Sequence, residues 1–165
     1  AHYRERFGSD HDDYERLLRN WKLASQDEHA GLSPTVAGLL LFAKNEKTQH
    51  YIGGARIDLA AYDSVDPDTD ARIDSTTFGG TVMNQLDEVT NYLRTSPFLS
   101  TPSNKDDLGR VDRPIYSMRA LQEAVVNAVA HRDYAVAGSQ CRLQIFTDRI
   151  EVTSPGRLQN YPYTR

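Results

Sequence analysis

One helical pattern constrains this chain more than any other feature of its sequence. In the stretch LQEAVVNAVAHRDY, residues 121–134, the polar side chains Glu123, Asn127 and His131 follow one another at steps of four. Residues four apart lie one turn apart on the same face of a helix, so these side chains would form one ridge. The pattern predicts an amphipathic helix that packs on a sheet through its other face. That apolar face would consist of Leu121, Ala124, Val125, Ala128 and Val129.

A β-hairpin is predicted directly after this helix. In the stretch CRLQIFTDRIEV, apolar residues alternate with polar ones on both sides of a tight connection at Asp148 and Arg149. Alternation of this kind is typical of strands with one buried face, and the short connection favours antiparallel pairing. Upstream, the Ser117 hydroxyl is placed to cap the start of the helix. The region therefore predicts a helix laid over a two-stranded ribbon.

The preceding residues predict three further helices and two strands. Apolar residues recur at helical or alternating spacing between polar connections, including the acidic segment DSVDPDTD. The elements are a helix from Asp10 or Asp12 to about Ala24, an apolar helix that begins at Ser33 and Pro34 and belongs in a core, strands at 55–62 and near 71–77, and a helix from Thr81 to about Arg94.

Length and spacing predict an α+β protein with a boundary near its middle. The chain has 165 residues, and the stretch TSPFLSTPSNKDDLGR is rich in Ser, Thr, Pro and charge between two periodic segments. We therefore expect a mixed α/β linking domain at 1–100, a linker at 101–112 and a second domain at 113–165.

Composition limits the classes of partner. The formal net charge is −4, so there is no global basic field of the kind that drives non-specific DNA binding. No apolar run is long enough to cross a membrane. Cys141 is the single cysteine, which excludes an internal disulfide within these residues and fits a reducing compartment. We expect a cytoplasmic protein without a membrane partner.

The common signatures of nucleotide, metal and acyl chemistry are absent from the sequence. There is no phosphate loop, no dinucleotide fingerprint, no metal-type spacing of His and Cys, and no nucleophile elbow. The stretch HRDY, residues 131–134, invites comparison with the protein-kinase catalytic loop, but the position of the kinase metal-binding Asn is Gly138 here. A structural alternative is that His131 and Asp133 cap the helix end and bind turn backbone.

Three segments together resemble the RecG-helicase-related transcriptional regulators, whose C-terminal region is similar to the GHKL ATPases of the gyrase, Hsp90 and histidine kinase group. The segments are LSPTVAGLLLFAK, RPIYSMRALQEAVVNAVAHRDY and LQIFTDRIEVTSPGRL, and they cover most of residues 31–158. The resemblance implies that 113–165 begin a GHKL-like (Bergerat-type) domain, a helix on an antiparallel sheet, which is incomplete at the C-terminus. We expect the chain to be the middle of a longer protein.

The resemblance also implies roles for single residues. In GHKL ATPases the corresponding helix supplies a Glu that activates water and an Asn that holds Mg²⁺, and Glu123 and Asn127 occupy these positions. Ser154 or Thr153 stands where the GHKL group has the Asp that reads adenine, and Gly156 matches one glycine of that box. ATP and Mg²⁺ are therefore the cofactors to consider, with Glu123 as catalytic residue and Asn127, Ser154 and Gly156 as binding residues, Asn127 toward the metal.

A second interpretation gives the same residues a structural role. His131, Arg132 and Asp133 would be a folding signature, with Asn127 and His131 satisfying hairpin backbone groups while Glu123 pairs with Arg119. Buried polar groups need such partners.

Three functions are compatible with these patterns. The first is a segment of a nucleic-acid-associated transcriptional regulator, a scaffold and oligomerisation segment around a degenerate GHKL-like domain, with DNA contacts in domains outside this chain. The second is an ATP/Mg²⁺-binding switch or weak ATPase. The third is a ligand-free protein interaction module that forms homo-oligomers through the open edge of the hairpin at 141–153. We expect no substrate turnover by this chain itself.

Overall fold

The described part of the chain is a mixture of helices and short strands, which confirms the expected α+β class. The computed structural model describes residues 14–27, 31–68, 70–101, 113–114 and 116–156. The helices are α1 (Tyr14–Asn20), α2 (Val36–Phe42), α3 (Asn45–Tyr51), α4 (Val82–Thr95) and α5 (Met118–Ala130), with a 3-10 turn at Pro97–Leu99. The strands are β1 (Ala24–Asp27), β2 (Gly31–Pro34), β3 (Ile57–Tyr62), β4 (Arg72–Phe78), β5 (Ser100–Thr101), β6 (Arg113–Pro114), β7 (Cys141–Ile145) and β8 (Ile150–Thr153).

A four-stranded sheet in the order β4-β3-β7-β8 organises this structure. The pairs β3–β4 and β7–β8 are antiparallel, and β3 runs parallel to β7, with Ile57 opposite Cys141 and Ala61 opposite Ile145. A parallel pair cannot be joined by a short turn, so the chain crosses from β4 to β7 by way of α4 and α5. The two smaller ribbons are β1–β2 and β5–β6.

The main core lies between the sheet and the helices α4 and α5. In β3 the alternation is complete, because Ile57, Leu59 and Ala61 are buried while the residues between them are half-buried. Leu93 of α4 and Leu143 of β7 are 1% and 0% exposed. Each such fully buried aliphatic side chain contributes about 1.5–3 kcal/mol relative to an exposed position. The core also includes Phe78, Val89, Leu99, Leu121, Val125, Ala128, Val129, Cys141 and Ile145.

A polar contact adds to the attachment of α4 on this sheet. The Tyr92 hydroxyl donates to Asp74 Oδ2 of β4 at 2.6 Å. Burial, together with the neighbouring Asp74 carboxylate, raises the pKa of Tyr92 to about 12. The phenol therefore stays protonated and able to donate at neutral pH.

Residues from both sides of the predicted domain boundary belong to the same sheet and core. Strands β3 and β4 come from the expected linking domain, whereas β7 and β8 come from the expected GHKL-like domain. The described residues therefore do not pack as separate domains divided at 101–112. Local composition identified a polar connection, but it carried no information about the long-range β3–β7 pairing. Residues 102–112 of the expected linker lie outside the described residues.

The predictions for the first two helices were wrong in detail. The helix start expected at Ser33 and Pro34 is part of β2, and the N-cap of α2 is Thr35, whose hydroxyl accepts from the Gly38 backbone N–H at 3.2 Å. Nor is α2 buried all round, because only Gly38 and Leu40 are buried while Val36 is 49% exposed. The Thr35 hydroxyl, two residues after Ser33, caps the helix instead.

Helix α1 ends earlier than expected and buries no residue completely. The Leu23 N–H donates to the Leu18 carbonyl at 2.8 Å and the Lys22 N–H to the Arg19 carbonyl at 2.9 Å, with Lys22 at φ 56°. This pattern is a Schellman motif, which usually has Gly at the left-handed position, and a Lys there gives no sequence signal. The proposed caps Asp10 and Asp12 lie outside the described residues.

The remaining predictions agree with the structure. The strands at 55–62 and 71–77 correspond to β3 and β4, and α4 begins after the Thr81 cap. The hairpin is formed by β7 and β8, with Leu143 opposite Val152, and β8 lies at the edge of the sheet. Self-association through this edge remains a prediction.

Gly38 should not tolerate even a methyl group. A Cβ at this position would overlap the carbonyl oxygen of Leu23, which is backbone and cannot rotate away. We expect Gly38→Ala to lower the free energy of unfolding by about 1–3 kcal/mol, as overpacking does. Urea denaturation of the variant tests this, with the exposed Ala37→Gly as a control for helix propensity. An unchanged denaturation midpoint for Gly38→Ala would contradict the close approach of α2 to Leu23.

Candidate functional site

Helix α5 forms as the sequence predicts. The Ser117 hydroxyl accepts from the Ala120 N–H at 3.4 Å, and the helix runs from Met118 to Ala130. Its buried residues are Leu121, Val125, Ala128 and Val129, which face the sheet and α4. The helix therefore lies over the β7–β8 ribbon with the predicted apolar face inward.

The polar ridge of α5 lies on its solvent side. Glu123 and Asn127 are both exposed and one turn apart, and His131 follows as the C-cap residue, also exposed. Beside this ridge, the Gln122 side chain donates to the Thr90 hydroxyl of α4 at 3.4 Å. The structure thus brings Glu123 and Asn127 together on one flank, as their spacing of four predicts.

The end of β8 meets the C-terminal end of α5. The Ser154 hydroxyl donates to the Ala128 carbonyl at 2.6 Å, and the Asp133 N–H donates to the Pro155 carbonyl at 2.9 Å. Gly156 has φ +136°, and a Cβ there would lie 3.2 Å from the Asp133 Cβ. Ser154 and Gly156 are therefore held beside the end of the helix that carries Asn127.

Cys141 completes the buried side of this junction. Its thiol is 3.5 Å from the Ala128 carbonyl and 3.8 Å from the Ser154 hydroxyl. Burial raises the pKa of the Cys141 thiol, and the hydrogen bond with Ser154 opposes this only in part. A buried neutral thiol is a poor nucleophile, so Cys141 is a packing residue here.

The structure separates the roles of His131 and Asp133. Asp133 Oδ1 accepts from the Ala135 N–H at 2.9 Å, so its carboxylate binds turn backbone as the structural interpretation predicts. The His131 N–H donates to the Asn127 carbonyl and ends the helix. Its imidazole makes no hydrogen bond within the described part of the chain. The expectation that the Asn127 and His131 side chains bind hairpin backbone is therefore not met, because both point to solvent.

Arg132, between these two residues, is 6% exposed and joins two distant loops. One terminal nitrogen donates to the Gly54 carbonyl and the other to the Ser139 carbonyl, the latter at 2.7 Å. The guanidinium also lies over the Tyr134 ring, with 4.8 Å between the central carbon and the ring centroid. Its Nε is buried without a hydrogen-bond partner within the described residues.

These two loops lead directly into the parallel strands. Gly54 precedes β3 and Ser139 precedes β7, so Arg132 ties together the starting ends of the two strands. Gly54 has φ +82°, and a Cβ there would overlap the Ser139 carbonyl oxygen. Sequence reasoning placed Arg132 in a folding signature but missed Gly54, for which the pair Gly53-Gly54 was the available signal.

Tyr134 supports the same junction. Its hydroxyl donates to the Val129 carbonyl of α5 at 2.9 Å, and burial raises its pKa to about 12. Because the phenol stays protonated at neutral pH, it continues to donate to that carbonyl. The HRDY stretch therefore supplies an arginine clamp, a turn-binding carboxylate and a helix-end donor.

The exposed flank has limited chemistry by itself. A carboxylate can orient water and an amide oxygen can bind a hard cation, but one amide does not complete a coordination shell. The described residues contain no group of three His, Cys, Asp or Glu side chains arranged for a metal ion. Nor does Glu123 pair with Arg119, since no ion pair joins them in the part of the chain that is described.

Comparisons with protein families, with curated proteins and with solved structures give no match for this chain. In the described ranges, no helix has the length and apolar character that crossing a bilayer requires.

The Arg132 clamp generates a stability prediction. Replacement by Ala removes two charge-assisted hydrogen bonds and leaves two backbone carbonyls without their donor, so we expect a loss of about 3–5 kcal/mol in the free energy of unfolding. Arg132→Lys should recover only part of this loss, because an ammonium lacks the planar fork that reaches both carbonyls.

Thermal and urea denaturation, with the exposed Arg142→Ala as a matched control, test this expectation. Equal stability of Arg132→Ala and the control would show that the clamp does not hold β3 against β7.

Proposed function

We propose that this chain is a scaffold segment of a nucleic-acid-associated transcriptional regulator, built around a degenerate GHKL-like domain. The observation that carries the proposal is the hydrogen bond from the Ser154 hydroxyl to the Ala128 carbonyl at 2.6 Å. Where the resemblance expects an adenine-binding carboxylate, the chain has only the hydroxyls of Thr153 and Ser154, and the Ser154 hydroxyl donates its proton within the fold. Adenine recognition by this group would require that internal bond to break.

The residues of the HRDY stretch support the same proposal. Arg132, Asp133 and Tyr134 all bind backbone groups of the chain itself, and Arg132 does so while buried. A motif whose side chains are used internally fits a scaffold better than a reaction centre. Nucleic-acid contacts of the regulator would then lie largely in other domains, because the chain has a net charge of −4.

Nucleic-acid retention tests this proposal. The whole gene product, purified free of nucleic acid, should bind a labelled DNA or RNA at about 50 mM salt and lose most of its affinity by about 200 mM, since phosphate contacts release counterions. Filter binding across this salt series is the measurement. A product that retains neither DNA nor RNA at the lowest salt would refute nucleic-acid association.

A second candidate function is an ATP/Mg²⁺ switch or weak ATPase. One specific observation favours it, namely that Glu123 and Asn127 are exposed, one turn apart and without side-chain partners among the described residues. Asn127 would hold the ion and Glu123 would orient water, with the remaining ligands coming from phosphate oxygens and water.

Titration calorimetry with ATP and Mg²⁺, on a protein extended past Arg165, tests this candidate. We expect Asn127→Ala to weaken Mg²⁺-dependent ATP binding at least tenfold, since it removes the only amide proposed to touch the ion. Glu123→Gln should keep binding and slow hydrolysis, because only the base is lost. The exposed Asn91→Ala of α4 is the matched control. Absence of any heat with the unmodified protein would end this candidate.

A further inference from the structure

The face of the central sheet opposite α4 and α5 carries a polar hollow of about 370 Å³. Its floor includes Ala60 of β3 and Ser75 of β4, which face each other across the strand pair, and Gln144 of β7 beside Ala60. These short or slender side chains leave room above the middle of the sheet. We call this hollow the open-face trough.

Two arginines stand at opposite corners of the open-face trough. Arg72 of β4 is paired with Tyr62 at one end of β3, and Arg142 of β7 is paired with Asp58 near the other end. Four residues of strand span about 13 Å and two strand spacings about 10 Å, so the two backbone positions are roughly 16 Å apart on the diagonal. Long arginine side chains can therefore approach a ligand from both ends.

The lining of the open-face trough holds two arginines and one aspartate, so its formal charge is +1 within an acidic chain. Arg72 and Arg142 are exposed, and neither has a hydrogen-bond or ion-pair partner within the described residues. The nearby Asp58 carboxylate is already engaged, since it accepts from Arg56 Nε at 3.2 Å and from the Thr77 hydroxyl at 2.9 Å. Two free guanidinium groups suit phosphates, which they bind through paired N–H donors.

Tyr62 forms one end of the open-face trough, and the buried Phe146 lies against it. The rings of Tyr62 and Phe146 are stacked with centroids 5.2 Å apart and 11° between their planes. Phe146 is covered on another side by the Arg149 guanidinium, 4.3 Å from its ring centroid. Because β7 lies on one side of β3 and β4 on the other, Phe146 covers one face of the half-buried Tyr62 ring. On the β4 side, Tyr62 is paired with Arg72.

We propose that the open-face trough binds single-stranded nucleic acid, with Arg72 and Arg142 on phosphates and Tyr62 against a base. Small-molecule pockets are mostly apolar and enclose their ligand, whereas this trough is polar, and its two arginines are exposed. Sheet surfaces with exposed aromatic and basic side chains are a recurring platform for single strands. The inference rests on the nucleic-acid association proposed above and locates a contact for that partner on this chain.

Fluorescence anisotropy with a labelled single-stranded DNA of about 15 nucleotides, on the 165-residue chain at about 50 mM salt, tests the inference. The double variant Arg72→Gln/Arg142→Gln should bind at least tenfold more weakly, and its salt slope should fall by about 1.4 because two phosphate contacts are lost. The matched control Arg94→Gln/Arg119→Gln removes the same charge from exposed positions on the helices and should stay within about threefold of the unmodified chain.

Two further experiments distinguish the contribution of base stacking from that of charge. Tyr62→Leu keeps an apolar contact with Phe146 but should weaken binding about fivefold or more, because stacking on the base is lost. A polyglutamate peptide of equal charge should not displace the DNA at equal concentration, since a peptide has neither phosphates nor bases. Displacement by that peptide would overturn the assignment of the ligand.

The outcome also distinguishes this inference from the proposed function. Binding of the Arg72→Gln/Arg142→Gln chain within threefold of the unmodified chain would overturn the inference, as would failure of the unmodified chain to bind. If the whole gene product still retained nucleic acid in filter binding, regulator association would stand and only the open-face trough would be excluded. Loss of both would refute both proposals.

Discussion

The pairing of β3 with β7 is the constraint on which the rest of the structure depends, and Arg132 is the side chain that secures it. The two strands are parallel and distant in sequence, so no tight turn fixes their register. Arg132 bridges the loops that precede them and binds the carbonyl of Gly54, 78 residues earlier in the chain. With both guanidinium ends on backbone, register and separation are set at the point where the strands begin.

From that junction the rest of the architecture follows in order. Helices α4 and α5 cover one face of the sheet because the crossover between parallel strands must return over it, and their apolar stripes meet the buried side of β3 and β7. Ser154 and Asp133 then attach the end of β8 to the end of α5. The exposed flank that carries Glu123 and Asn127 is consequently held in place by hydrogen bonds at the C-terminal end of the same helix.

The parts of the fold that follow from local rules could be predicted from sequence. Helix α5 was predicted from its periodicity and from the Ser117 cap, and the β7–β8 ribbon from alternation around a short turn. The end of α1 was not predictable in the same way, because the left-handed residue is Lys22 where glycine is expected. Likewise, Thr35 rather than Ser33 caps α2, because Ser33 is paired in the β1–β2 ribbon.

The candidate site was only partly accessible to the same reasoning. The common flank of Glu123 and Asn127 follows from a spacing of four, which local geometry fixes. The burial of Arg132 could not be predicted in this way. Its partners are backbone carbonyls, which every residue type carries, so the sequence does not mark them. The open-face trough also escaped prediction, since Arg72 and Arg142 reach the same sheet face only through strands that are remote in the chain.

The parallel β3–β7 pair at the centre of the sheet also affects how the chain folds during synthesis. Strands β3 and β4 leave the ribosome long before β7, and until β7 arrives the inner edge of β3 has no hydrogen-bonding neighbour. Contacts between remote segments form slowly because the intervening chain must first be ordered. A nascent chain of this protein therefore passes through an interval in which the edge of β3 is exposed, and an exposed strand edge can pair with other chains.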